Sequence, residues 1–253
     1  MDAFVPNPDE LNQEQKQAQT ITNSKVFSKT FLYFGLALLI TGVVSILGGM
    51  LFNYINNPTL YIVMTTVSSI GIFALSLTIS FKGFQMGNGL IVPYILYSVF
   101  MGLLLSGCST WVGSPYIFGL VVCITSAIFM LMCGIGYLIG DKIGILGTLL
   151  IGATIGAGIL GLVSFFAFPF MFTGSMEAFI PMFWIGEFLF LGIFMLYIAF
   201  DMYALKQVAD SNALISTNVC IFFALRLYSD FISLLVRILR IVAIFLANSN
   251  SDN

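Results

Sequence analysis

The sequence predicts an all-α membrane protein of seven transmembrane helices, and three observations carry that prediction. Charged residues make up 8% of the 253 and apolar residues 59%, with a mean hydropathy of +1.05. A soluble domain carries about 25% charge, so few charges cannot cover a surface facing water, whereas lipid demands an apolar one. Second, the chain divides into seven apolar segments, each near the roughly 20 residues that cross a hydrocarbon core. Third, no stretch shows the alternation over about 10 residues that marks a membrane β-strand.

The segments run 29–52, 59–82, 89–108, 116–140, 143–168, 180–206 and 214–246. Asn53, Asn56, Asn57 and Pro58 separate the first two, and Gly87, Asn88 and Gly89 the next two. Gly113, Ser114 and Pro115 follow the third, and Asp141–Lys142 interrupts an apolar stretch that otherwise continues to about residue 170. The expected organisation is a polar cytoplasmic tail over 1–28, a seven-helix transmembrane domain over 29–247 and a short polar tail over 248–253. The first 28 residues lack the apolar core of a signal peptide and read as a flexible tail, so the first spanning helix directs insertion.

Lys16, Lys25 and Lys29 precede the first segment, and Lys82, Lys142 and Lys206 lie at the ends of the second, fourth and sixth. The loops after the first, third and fifth contain neither Lys nor Arg. Basic residues stay on the cytoplasmic side, so the N-terminus and even-numbered loops are expected there and the last tail opposite; a re-entrant seventh segment would reverse that tail. Glycines spaced by four (Gly136, Gly140 and Gly144; Gly152 and Gly156) permit close helix contacts in lipid.

Composition also excludes functions. The net charge of −2 does not suit nucleic-acid binding. The absence of histidine removes the commonest general base, metal ligand and pH switch. Cys108, Cys123, Cys133 and Cys220 form no CxxC pair and read as small core residues, not as disulfides or a zinc site. No cofactor is expected.

The seventh segment differs from the rest, because it carries Arg226, Asp230, Arg237 and Arg240. At about 100° per residue, Asp230, Arg237 and Arg240 all lie within roughly 40° of Arg226, and Ser233 shares the arc. Charges facing lipid would cost several kcal/mol each, so the stripe is expected to face the protein interior. An amphipathic helix lying on the membrane surface is the alternative. The sixth segment carries Glu187 and Asp201, about 21 Å apart on a shared face. A turn at about 207–213 makes the sixth and seventh segments antiparallel. Asp201 and Asp230 are then expected at one depth on the cytoplasmic side, and Glu187 near Arg237 or Arg240 on the other. Two carboxylates brought together at low dielectric do not both stay ionised; they share a proton. That gives a pH-sensitive element without histidine.

These residues sit in motifs that resemble the Bax inhibitor-1, or transmembrane Bax inhibitor motif, family. LYSDFISLLVRILRI (Leu227–Ile241) is similar to its closing signature, and FDMYALKQV (Phe200–Val208) to the aspartate motif ending its sixth helix. CGIGYLIGDKIGILG (Cys133–Gly147) resembles its Gly-Tyr and Asp-Leu elements. In the aspartate motif Phe200 and Met202–Tyr203 depart from the family's Tyr-Asp-Thr-Gln-like context. The resemblance implies six helices around a central, semi-polar seventh. It implies a pH-sensitive calcium leak with Asp201 and Asp230 as sensor, gate and transient calcium ligands. The family's arginine at the end of the second helix, a latch for the pair, is represented only by Lys82, and Arg226 is a further charge partner. Arg240 falls on the arginine of the closing signature.

Three other functions compete. An intramembrane aspartyl protease also uses two aspartates, but Asp230 follows Leu-Tyr-Ser instead of Gly-x-Gly, and no Pro-Ala-Leu occurs; an enzyme is not expected. A secondary transporter would show paired repeats, which seven segments do not supply. A regulatory partner embedded in the membrane leaves no separate signature in the sequence, and no protein partner can be named. The bilayer and calcium are the expected partners, and the location is a bacterial plasma membrane or the endoplasmic reticulum membrane.

Overall fold

A computed structural model describes residues 8–55, 57–82, 89–106, 115–138, 147, 150, 179–211 and 216–251. The described residues form six helices and no strand: α1 (Pro8–Ile55), α2 (Pro58–Lys82), α3 (Ile91–Leu105), α4 (Pro115–Leu138), α5 (Phe179–Asp210) and α6 (Thr217–Ser251). Four contain stretches long and apolar enough to cross a membrane: Ser24–Phe52, Ile62–Lys82, Tyr116–Leu138 and Gly186–Asp210. The 15 residues of α3 are apolar but short for a full crossing. The fifth expected segment, 143–168, lies outside the described residues except for Gly147 and Leu150. The chain is an integral membrane protein that crosses the bilayer several times.

Helix starts follow local chemistry. Proline opens α1, α2 and α4, where its missing N–H costs nothing and its fixed φ suits a first turn. Asn57 caps α2, its Oδ1 accepting from the backbone N–H of Thr59 at 3.0 Å and of Leu60 at 3.4 Å, which satisfies two donors that have no partner inside the helix. At the end of α5, Ser211 donates from Oγ to the Val208 carbonyl at 2.6 Å.

Helix extends into both polar end segments. α1 begins at Pro8, well before residue 29, because 9–19 combine acidic residues in the first turn with Leu, Gln, Glu, Lys and Ala, all good helix formers. α6 continues through Asn248 to Ser251, since neither Gly nor Pro interrupts it.

The described chain forms two compact units. Unit 1 comprises residues up to Leu104 with Ala204–Arg226, and unit 2 comprises Leu105–Tyr203 with Leu227–Asn253. In unit 1, α1 and α3 meet along a polar seam. Tyr94 donates from its hydroxyl to the Tyr33 carbonyl at 3.2 Å, and Thr41 Oγ1 donates to the Ser98 carbonyl at 3.0 Å. Gly102 lies against Thr41 and Val44. Contacts 33–94, 41–98 and 44–102 advance together, so α1 and α3 run parallel and the intervening α2 runs the other way. Away from such seams α1, α2 and α4 present exposed apolar side chains, among them Leu39, Met50, Phe73, Leu131 and Leu138, as a lipid-facing surface requires.

A Cβ at Gly102 would stand 2.8 Å from Val44 Cβ and 2.9 Å from the Thr41 carbonyl oxygen, whereas one at Gly119 would meet nothing within 4 Å. Gly102→Ala is therefore expected to lower thermal stability, by about 1–3 kcal/mol if the helices must separate. Gly119→Ala should be neutral or stabilising by up to about 1 kcal/mol. Melting of both variants in detergent checks this.

Candidate functional site

Three of the described charged residues of unit 2 meet between α5 and α6. Glu187 divides its carboxylate between two arginines of α6: Arg237 Nη1 donates to Oε2 at 2.9 Å and Arg240 Nη1 to Oε1 at 2.7 Å. Arg237 also lies over the rings of Phe190, at 4.3 Å from the centroid, and Phe194, at 5.3 Å. Residues 187, 190 and 194 recur at helical spacing, so one face of α5 supplies both the carboxylate and the rings. The sequence suggested Glu187 near either arginine; the structure seats it on both. Charge-assisted pairing of this kind offsets the cost of burying a carboxylate.

These contacts set the register that positions the aspartates. Moving from 187 to 194 along α5 moves the contact from Arg240 to Arg237, so the two helices are antiparallel. Asp201 stands seven residues beyond Phe194 (201 − 194), and Asp230 stands seven before Arg237 (237 − 230). Seven residues are nearly two turns, about 10.5 Å and within about 20° of the same face. Asp201 and Asp230 therefore both lie beyond the same end of the ion cluster, on the helix faces that carry its contacts. Asp201 is 2% exposed; Asp230 is half-buried. Asp201 Oδ1 and Asp230 Oδ2 are buried oxygens that accept no hydrogen bond among the described residues, although each side chain has other interactions.

α4 supplies a third wall. Phe129 meets Phe231 edge to face at 5.4 Å. Cys133 is near enough to Asp230 for the carboxylate to act on its thiol electrostatically. Gly136 lies so close to the Ala199 backbone that a side chain would collide with it. Positions 129, 133 and 136 share one helical face. Cys133 read only as core filler in the sequence, and Phe129 carried no signal there. The glycine spacing did point to Gly136; Gly140, Gly144, Gly152 and Gly156 lie outside the described residues. Phe200, beside Asp201 in sequence, packs against Gly147.

The polar stripe of α6 was expected to face inward, and the structure refines this. From Thr217 to Leu246 every residue is buried or half-buried except Phe245. Within that helix the deepest positions are apolar, such as Leu227, Tyr228, Leu234 and Leu239. Arg226, Asp230, Ser233, Arg237 and Arg240 are all half-buried. Charged groups keep partial access because complete burial carries a large desolvation cost. Arg226 lies 5.8 Å from the Phe222 ring. In unit 1, Lys82 ends α2 with its side chain exposed, a position where a cation favours the helix dipole. Among the described residues no cluster of three or more His, Cys, Asp or Glu could hold a metal ion.

Removing the shared carboxylate leaves both arginines without their counter-charge. Glu187→Lys is expected to destabilise the protein by about 3–5 kcal/mol, the scale for breaking a buried pair, with most of the effect through Arg237. Glu187→Arg combined with Arg237→Glu should recover part of the loss. Melting temperatures of the single and double variants provide the check.

A family model described as "Inhibitor of apoptosis-promoting Bax1" matches residues 23–250. No individual curated protein matches the chain. The match covers most of the chain, including every charged residue of the site, and the chain belongs to the Bax inhibitor-1 family.

Proposed function

We propose that this protein is a pH-sensitive calcium leak of its membrane, gated by Asp201 and Asp230. The observation that supports the proposal is the antiparallel α5–α6 pair, which carries a buried carboxylate, Asp201, and a half-buried one, Asp230, beyond the same end of the Glu187 cluster. Calcium prefers several oxygen ligands, and two carboxylates offer a transient station without the full shell of a resident metal. Partial access at Asp230 gives protons and ions a route to the pair. The resemblance in the closing signature supports the same reading. The alternatives are a secondary transporter and a membrane-embedded regulatory partner without transport. No catalytic role is proposed.

The proposed architecture is seven crossings with the seventh segment, α6, innermost. Its support is that α6 has no exposed residue from Thr217 to Leu246 except Phe245, whereas α1, α2 and α4 each carry several exposed apolar side chains. The membrane is a bacterial plasma membrane or that of the endoplasmic reticulum.

The gating sign follows from the proton. A shared proton bonds the two carboxylates and holds the closed arrangement. Its loss leaves two like charges, which at about 4 Å repel by roughly 4 kcal/mol at an effective dielectric of 20. Half of that shifts a two-state equilibrium about 30-fold. Closure therefore belongs to low pH and is lost as pH rises.

Calcium flux into liposomes, scanned from acidic to alkaline pH, tests the proposal. The unchanged protein is expected to conduct more as pH rises. Asp201→Asn and Asp230→Asn should each flatten the profile, because neither leaves a titrating proton shared across the pair. An unchanged profile in both variants would move the sensor elsewhere, and absence of calcium flux at every pH would favour the non-transport reading.

A further inference from the structure

The Glu187 cluster holds two arginines on one carboxylate and so carries one surplus positive charge. The surplus also appears in the hydrogen bonds. Arg240 donates to Glu187 through Nη1, and its side chain remains 43% exposed. Arg237 Nε is a buried donor without an acceptor among the described residues.

The surroundings fix the depth of this charge. Lys206, at the cytoplasmic end of α5, lies 19 residues beyond Glu187 (206 − 187), about 29 Å along the helix and close to the roughly 30 Å thickness of a hydrocarbon core, so Glu187 stands near the opposite boundary and not at mid-membrane. Trp184, one turn earlier, stacks on Phe188 at 6.0 Å and meets Phe245 at 5.2 Å. Phe188 and Phe245 are 58% and 60% exposed. Tryptophan beside exposed aromatic rings is the composition of a membrane–water boundary. An arginine at that depth extends its guanidinium toward the headgroups while its stem stays on apolar surface.

We infer that Arg240, with Trp184, Phe188 and Phe245 beside it, forms a binding site for the phosphodiester of an anionic phospholipid. The free donors of Arg240 meet the phosphate oxygens, the surplus charge selects an anionic headgroup over a zwitterionic one, and the aromatic rings pack on the first acyl carbons. Glu187 holds the guanidinium in place, so the charge is oriented before the lipid arrives. The site is separate from the aspartate pair, about 21 Å along α5 from Asp201, and does not depend on the leak.

Trp184 supplies the reporter. With Trp111→Phe it becomes the only tryptophan in the full-length chain, and phospholipids with brominated acyl chains quench it on contact. The protein is reconstituted in phosphatidylcholine vesicles with increasing brominated phosphatidylglycerol, and the reverse series is run with brominated phosphatidylcholine. One basic side chain near the surface corresponds to about a fivefold preference for the anionic lipid. That preference is expected in the parent and in Arg240→Lys. It should disappear in Arg240→Gln, which leaves Glu187 paired with Arg237 and the cluster neutral. Quenching that follows bulk lipid composition in the parent, or a preference surviving Arg240→Gln, would overturn the inference. Excess inorganic phosphate at constant ionic strength distinguishes the source of the anion: an unaffected preference supports the lipid, and an abolished one would reassign the site to free phosphate.

Discussion

Glu187 shared between Arg237 and Arg240 is the interaction on which the rest of unit 2 depends. Apolar side chains alone allow two helices in lipid to slide, because one leucine contact is much like another and lipid tails compete for both. A carboxylate held by two guanidiniums, one of them resting on Phe190 and Phe194, has far fewer equivalent positions. Sliding either helix by one residue would turn the charges away from each other and leave them in a low-dielectric setting. The ion cluster is thus better understood as a register device than as a source of net stability, since burying ions often costs as much as their attraction returns. In the function proposed above, what it specifies is the level of Asp201 against Asp230, about two turns away.

The third wall works by the opposite means. Gly136 brings α4 against the backbone of α5 at Ala199, where any side chain would obstruct, and Phe129 packs edge to face on Phe231. Close backbone approach gains dispersion contacts that lipid cannot match. The aspartates are therefore bounded by a helix that approaches through absence of a side chain and by a pair of helices held in register through charge. The remaining surfaces of α1, α2 and α4 leave their apolar side chains outward, the arrangement expected where the solvent is hydrocarbon.

Much of this was legible in the sequence because lipid simplifies the rules. A charge in an apolar segment is expensive, so Glu187, Asp201, Asp230, Arg237 and Arg240 stood out individually, and helical periodicity sufficed to put the α6 charges on one stripe. The approach of Glu187 to Arg237 and Arg240 followed from antiparallel connection and helix rise. What remained hidden had a common cause. Phe129 and Cys133 are apolar residues among many, and only tertiary packing distinguishes them. The helical stretch before residue 29 was missed because polarity was taken for disorder, although Leu, Gln, Glu, Lys and Ala favour a helix whatever their polarity. The half-burial of the stripe was also out of reach, since periodicity reports which face a residue occupies and not how much space lies in front of it.

The central claim is that α5 and α6 meet in a register placing Asp201 opposite Asp230, and cross-linking tests it most directly. In a chain with Cys108, Cys123, Cys133 and Cys220 replaced by alanine, Asp201→Cys with Asp230→Cys is compared with Asp201→Cys with Arg237→Cys, under mild oxidation in the membrane. A disulfide needs Cα atoms within about 7 Å. The first pair is predicted to close and the second, displaced by about 10.5 Å along α6, to stay open. Closure of the second pair with the first left open would contradict the register and, with it, the placement of the site.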